Sequence, residues 1–166
     1  YVSTRARANG AAPALSFDDV LLAGLAVDGG LYLPEAWPAL TPSEIAAMAE
    51  LDYAALAARI MAPFMAGSAL APELDAICRK AYARFSHPAV APIKQLAANE
   101  WVMELFCGPT LAFKDYALQV VGLMFEALLK HRGSRITIVG ATSGDTGSAA
   151  IEACRDRSAI DIVILH

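Results

Sequence analysis

Residues 135 to 165 carry the pattern that most narrows what this chain can fold into. An apolar, β-branched run, Arg135 to Val139 (RITIV), is followed by a glycine-rich turn, a helical stretch from Gly147 to about Arg155, and a second run, Ile160 to Leu165 (IDIVIL). Two such strands joined through a helix make a parallel pair, because parallel strands need a crossover between them. Ahead of them, Asp115 to about His131 reads as one long helix. It is apolar around most of its circumference and closed by Gly133, so heavy burial is expected. Trp101 to Phe106 is a further candidate strand, and the expectation from residue 100 onward is an alternation of strands and helices on a parallel sheet. A run such as IDIVIL suits a strand buried on both faces. With only His166 after it, we expect the sequence to be a portion of something longer.

The first hundred residues read differently, as helices and turns. Ser16 with Asp19 marks a helix start, with Leu21, Leu22 and Leu25 as its apolar stripe and Asp28-Gly29-Gly30 as its end. Leu31 to Leu33 could form a short strand before Pro34. Thr41, Pro42 and Glu44 form a capping signature for a helix to about Ala49, and Asp52 can cap a helix from Tyr53. Pro72-Glu73 opens another, running to about Phe85, and Pro88 and Pro92 then break helical structure. The expected fold class is therefore α/β: a mainly helical region over 1–99, followed over 100–166 by the start of a parallel-sheet domain.

Composition excludes several functions. Of 166 residues, 57% are hydrophobic and 18% charged, which rules out disorder. A net charge of -4 without a Lys/Arg run leaves no footprint for nucleic acid or an anionic membrane. Three scattered cysteines, Cys78, Cys107 and Cys154, make neither a disulfide framework nor a zinc site, so no metal is expected and a reducing cytoplasm is the simplest compartment. Tyr53 to Leu70 is apolar enough to suggest a membrane span, but Arg59, Pro63 and Ser68 interrupt it, and we read a buried helix ending before Pro63. The N-terminal residues lack the apolar segment of a secretory signal. His87, beside Pro88, reads as a solvated loop histidine.

Two stretches carry chemistry. In Glu104 to Asp115 (ELFCGPTLAFKD) a Gly-Pro turn delivers a lone lysine, Lys114, to the first turn of the apolar helix. A helix N-terminus and an apolar surround both disfavour its ammonium form, and a neutral amine is the nucleophile that a Schiff base with a carbonyl cofactor requires. Alternatively Lys114 reaches solvent and pairs with Asp115 or Glu104. In Gly140 to Gly147 (GATSGDTG), between strand and helix, backbone N–H groups and the helix dipole converge on one spot that suits an anion, with hydroxyls of Thr142, Ser143 and Thr146 as added donors. The spacing fits neither a P-loop nor a dinucleotide fingerprint. A purely structural turn with Thr146 or Asp145 as helix cap is the other reading.

Together these stretches resemble the threonine synthase family, pyridoxal-phosphate enzymes of fold type II. The family signature F-H-G-P-T-x-A-F-K-D stands here as Phe106-Cys107-Gly108-Pro109-Thr110-Leu111-Ala112-Phe113-Lys114-Asp115; the TSGDTG loop, the opening YVSTR and the run LLAGLAVDGGLYLPE also match. The resemblance implies a lyase of threonine biosynthesis that converts O-phospho-L-homoserine and water to L-threonine and phosphate. It implies that Lys114 binds pyridoxal 5'-phosphate and acts as catalytic acid/base, that Asp145 lies toward the cofactor, and that Thr142, Ser143, Gly144 and Thr146 hold the substrate. Cys107 stands where the family has histidine, and a thiol is a poor substitute donor. The family's phosphate-cradling loop and its partner for the pyridine nitrogen have no counterpart in these residues, so the chain by itself is expected to be an incomplete, inactive portion. A threonine-synthase-like phospholyase, another enzyme of the same cofactor family, and a non-catalytic stand-alone module are the alternatives.

Overall fold

The computed structural model describes residues 1–6, 12–142 and 144–166. Its helices begin where side chains can meet orphan amides. Ser16 accepts from the Asp19 N–H and opens α1 (Phe17–Ala23). Thr41 and Glu44 form a reciprocal capping box on α2 (Pro42–Ala47), and Asp52 caps α3 (Tyr53–Met61). The turn at Pro63 is a 3-10 turn, Ala62–Met65, and a second one, Ala71–Glu73, leads into α4 (Leu74–Tyr82). Gly24, at φ +68, ends α1 four residues sooner than the Asp28-Gly29-Gly30 expected from sequence. Those three instead make the turn ahead of β2 (Tyr32–Leu33), which pairs antiparallel with β1 (Val2–Ser3).

The largest departure from the sequence expectation is at the supposed first strand of the parallel sheet. Glu100–Met103 (β4) does not join that sheet. It folds back antiparallel on Ile93–Ala97 (β3), a strand the prolines at 88 and 92 had hidden. The Ala98-Asn99 turn between them suffices, because adjacent antiparallel strands need only a short loop. Every residue of this hairpin is exposed.

The remaining order is as the pattern demands: α5 (Asp115–Arg132), β5 (Ile136–Ala141), α6 (Asp145–Cys154) and β6 (Ile160–Leu165). Strands β5 and β6 pair parallel, Ile136 with Ile160 through Ala141 with Leu165. Gly133, in the left-handed conformation at φ +59, closes α5 as expected. Only alternate strand residues are covered: Ile160 is buried and Ile162 half-buried, whereas Val139, Val163 and Leu165 are exposed, so one face of this pair lies open.

Helix α5 organises the core. Its Val120, Leu123, Met124 and Leu128 are buried against Ala58 of α3 and Leu74, Ile77, Cys78 and Ala81 of α4, with Leu21 and Leu22 of α1 packed alongside. Each such side chain contributes about 1.5–3 kcal/mol. Burial pushes the Cys78 thiol up to about 11, so it behaves as an apolar group. Leu129 of α5 extends the packing to Cys154 and Ile160 on the sheet side. The Tyr53–Met61 helix buries only Ala58 fully, less than its composition suggested, and among the described residues no helix is long and apolar enough to cross a membrane.

Where α5 meets α6 the approach is closest: a Cβ on Gly122 would lie 2.4 Å from the Ala153 carbonyl oxygen. Gly122→Ala is therefore expected to destabilise the full-length protein by about 1–3 kcal/mol in a urea melt, because backbone rather than a mobile side chain must yield. Residues 1–166 expressed alone, with the hairpin and one sheet face uncovered, are expected to sediment as oligomers or aggregates. A monodisperse monomer would show those faces to be tolerated by water.

Candidate active site

The stretch from Glu104 to Asp115 is pinned at both ends. The Glu104 N–H donates to the Pro92 carbonyl (2.9 Å), and the Cys107 carbonyl accepts from the Ser86 N–H (2.8 Å) and hydroxyl (3.2 Å). Cys107 is itself buried and free. At the far end the Asp115 carboxylate, fully buried, turns back to accept from the Thr110 N–H (2.7 Å) and the Thr110 hydroxyl (2.9 Å). The intervening residues make a tight turn in which Leu111 sits at φ +64, a conformation that costs a non-glycine residue energy.

Lys114 occupies the N-cap position of α5, where no side chain caps the helix. Its side chain is half-buried, with Nζ 4.8 Å from the centre of the exposed Phe113 ring. The alternative pairing with Asp115 does not occur, since that carboxylate is taken by Thr110. Among the described residues Lys114 makes no ion pair. One residue further on, Tyr116 donates to the Val90 carbonyl (2.7 Å) and packs edge-on against Phe85 and Tyr53. Burial, and then the neighbouring Cys107, push its hydroxyl up to about 12, so it stays a donor. Val90 carries a positive φ of 60, a rare state for a β-branched residue. Strained backbone thus occurs three residues before the lysine, at Leu111, and at Val90, the partner of Tyr116, a feature that clusters at functional sites.

The second stretch opens α6. The N-cap is Gly144, with extended φ, and Asp145 and Thr146 are exposed in the first turn. Neither of them caps the helix, contrary to the structural-turn reading. A glycine cap brings no side chain to the first turn; the Gly147 N–H bonds the Gly144 carbonyl (3.0 Å), which leaves the Asp145 and Thr146 amides as the donors an anion site would use. Thr142 is half-buried, and its N–H bonds the Leu165 carbonyl, tying the loop to the end of β6. Gly147 is buried, with Thr142 and Ile164 side chains about 3 Å from where a Cβ would stand. Ser143 lies outside the described residues.

Helix packing brings the two stretches to one edge. Leu129 near the end of α5 and Cys154 at the end of α6 pack in one cluster with Ile136 and Ile160, the first residues of β5 and β6, so the two helices, which meet at Gly122 and Ala153, run the same way. Counting back eight residues from the Gly122–Ala153 contact reaches Lys114 on one helix and Asp145 on the other. Both N-termini therefore sit at the same end, beside the carboxyl ends of β5 and β6, the edge where ligands bind in open parallel sheets. The deeper Arg84–Glu152 ion pair, with Arg84 also 3.4 Å from the Gln119 oxygen, reinforces this from α4's side. His87 is exposed and accepts from Ala89 N–H, as a loop histidine. No metal-ligating cluster occurs among the described residues.

Sequence reasoning missed Asp115, Thr110 and Tyr116. A threonine five residues before a carboxylate at the first helical position was the available signal, but the backward bond it makes depends on the Gly-Pro turn closing.

Residues 1–82 match the family model described as threonine synthase N terminus. The whole chain is 57% identical to a threonine synthase of Pseudomonas aeruginosa, covering 34% of it, and 99% of the chain is aligned at 39% identity with a threonine synthase-like 2 of Homo sapiens. A crystal structure of pyridoxal-phosphate-bound threonine synthase from Brucella melitensis superimposes over 98% of the chain with a TM-score of 0.92 at 52% identity, again over 34% of that protein. The chain thus spans about a third of the length of the relatives it matches.

A Cβ on Gly108 would fall 2.4 Å from Asp115 Cβ and Oδ2. Gly108→Ala is expected to force the turn open, at a cost of about 1–3 kcal/mol in stability. Thermal melts of the full-length protein check this. A wild-type melting curve would show the turn to be looser than described.

Proposed function

We propose that this chain, a member of the threonine synthase family matching its N-terminal third, supplies the cofactor-anchoring lysine and the substrate-facing loop of a pyridoxal-phosphate-dependent threonine synthase. The reaction is conversion of O-phospho-L-homoserine and water to L-threonine and phosphate, the last step of threonine biosynthesis. The observation that carries the reading is Lys114: a half-buried lysine without an ion pair among the described residues, at the start of a buried helix and at the same edge as the glycine-capped start of α6.

The residues present fit the cofactor. Lys114 offers the amine that a carbonyl group needs, and the capped-by-glycine helix start offers N–H donors to a carboxylate or phosphate. When bound, pyridoxal phosphate supplies the electron sink for carbanion chemistry. The chain's own part is positioning and proton transfer. Through Nζ, Lys114 would hold the cofactor's carbonyl carbon and would afterwards take or give a proton there. Thr142, Ser143, Gly144 and Thr146 orient the substrate carboxylate through backbone N–H groups and hydroxyls. Asp145, as an exposed carboxylate in the first turn, contacts a cationic part of the bound cofactor or substrate. Buried Cys107 contributes a packed thiol and a carbonyl held by Ser86, not an imidazole.

In this reading residues 1–99 form a mainly helical N-terminal region and 100–166 the first part of the cofactor domain, with α5 sharing one core with both. The protein acts in the cytoplasm on a small-molecule substrate. Identity of 57% to a threonine synthase against 39% to a threonine synthase-like 2 favours the synthase over a related phospholyase.

Borohydride reduction of the full-length holoenzyme is expected to leave a pyridoxyl group on the peptide containing Lys114. An adduct mapped to another lysine, or visible absorbance undiminished in Lys114→Ala, would overturn the assignment. For the loop, Thr146→Ala or Ser143→Ala is expected to raise KM for O-phosphohomoserine about tenfold, the loss of one hydrogen bond to a charged group, while the borohydride-trapped cofactor remains. Loss of cofactor with KM unchanged would place these hydroxyls on the wrong ligand.

A further inference from the structure

The lysine is half-exposed, yet the residue after it is the most deeply buried carboxylate of the described chain. Asp115 has no measurable exposure, and its two oxygens are met by one residue, Oδ2 by the Thr110 N–H (2.7 Å) and Oδ1 by the Thr110 hydroxyl (2.9 Å). A buried carboxylate is costly unless hydrogen-bonded, so this pairing holds its partner tightly. Gly108 lies against Asp115 with no room for a Cβ, so the 108–115 segment closes on itself around that carboxylate. Within the closure Leu111 is held at φ +64 and Lys114 at the helix start, with the Asp115 N–H bonded to the Ala112 carbonyl (3.0 Å). Strained backbone persists only where the surroundings over-determine it, and here the Asp115–Thr110 pair provides that constraint.

We propose that Asp115 is a positioning residue: bound to Thr110, it latches the 108–115 turn so that Lys114 presents its amine at the cofactor edge in one fixed orientation. The proposal rests on the reading of Lys114 as the cofactor anchor. Asp115 does not touch the reacting atoms. Its carboxylate lies inward and its effect on Nζ passes through the backbone of the two adjoining residues. The latch lowers the entropy that Lys114 must lose when it captures the cofactor, which is where preorganisation appears as rate.

The test uses the full-length protein, stripped of cofactor and then given pyridoxal phosphate. Two quantities are followed at a temperature well below every variant's Tm: the rate at which visible absorbance develops, and the fraction of cofactor trapped on the Lys114 peptide by borohydride. Thr110→Val keeps the side-chain volume and removes the hydroxyl. It is expected to slow capture about fivefold, the equivalent of one hydrogen bond, and to lower Tm because the buried Oδ1 loses its partner. Thr110→Ser, which keeps the hydroxyl, is expected to restore the rate. Asp115→Asn removes the charge that strengthens both bonds to Thr110 and is expected to slow capture further, and the double variant is expected to be no slower than Asp115→Asn alone. If Tm falls in these variants but capture rate and trapped fraction stay at wild-type values, Asp115 is merely structural and the proposal is overturned. Should Asp115→Asn fail to fold, Thr110→Val against Thr110→Ser decides alone. A wild-type adduct away from Lys114 would instead remove the functional reading beneath it, and that outcome appears in the wild-type arm only.

Discussion

The contact on which the rest depends is the backbone-level approach of α5 to α6 at Gly122. Two parallel helices held this close have a fixed register, and that register sets Lys114 level with the start of the glycine-capped helix. A side chain at residue 122 would push the helices apart and move both ends of the site at once. The helix that makes this contact is also the hub of the core, so the placement of the lysine inherits the rigidity of the most buried part of the chain. Sites carried on rigid elements hold geometry better than sites on loops. Here the lysine and the loop each stand one residue from such an element.

Around that contact the charges are arranged in depth. Arg84 reaches Glu152 and Gln119 from α4, and Arg157 reaches Glu126, so the α5–α6 seam is bordered by ion pairs whose carboxylates are largely withdrawn from water. Breaking one partner of a pair like these leaves the other charge stranded, which is where most of the energetic consequence lies. Exposed pairs such as Arg79 with Asp52 and Asp75 join α4 to the cap of α3 but, being screened, contribute little. The site end of α5 is different in kind. Its aromatic group of Tyr53, Tyr82, Phe85 and Tyr116, with ring centres 4.8 to 6.3 Å apart, ties the first turn of α5 to two other helices without any charge.

The form of the two candidate stretches was legible because each depends on local rules. A Gly-Pro turn ahead of a long apolar helix and a glycine-rich loop between strand and helix announce themselves in any sequence, and the caps at Ser16, Thr41 and Asp52 are contacts of three residues' span. The runs of α5, β5 and β6 likewise follow from stretches of apolar residues, with Gly133 closing α5. What local rules misjudged was partner choice. The sequence at 100–106 has the composition of a strand, but nothing in it says that its neighbour is Ile93–Ala97 and that the pairing is antiparallel.

By itself, then, the sequence determined most helices, the paired strands β5 and β6 and the caps that start several of them, and it marked one lysine and one loop as candidates for chemistry, since propensity, capping and periodicity act within a few residues. Only the tertiary structure decided that Asp115 turns inward to Thr110 instead of pairing with Lys114, that Gly144 and not a polar side chain caps α6, and that the lysine and the loop share an edge. Those outcomes depend on which buried group finds which partner across five to more than thirty residues. A carboxylate next to a lysine in sequence prefers the geometry that satisfies both its oxygens in the dry interior, and that preference exists only once the interior has formed.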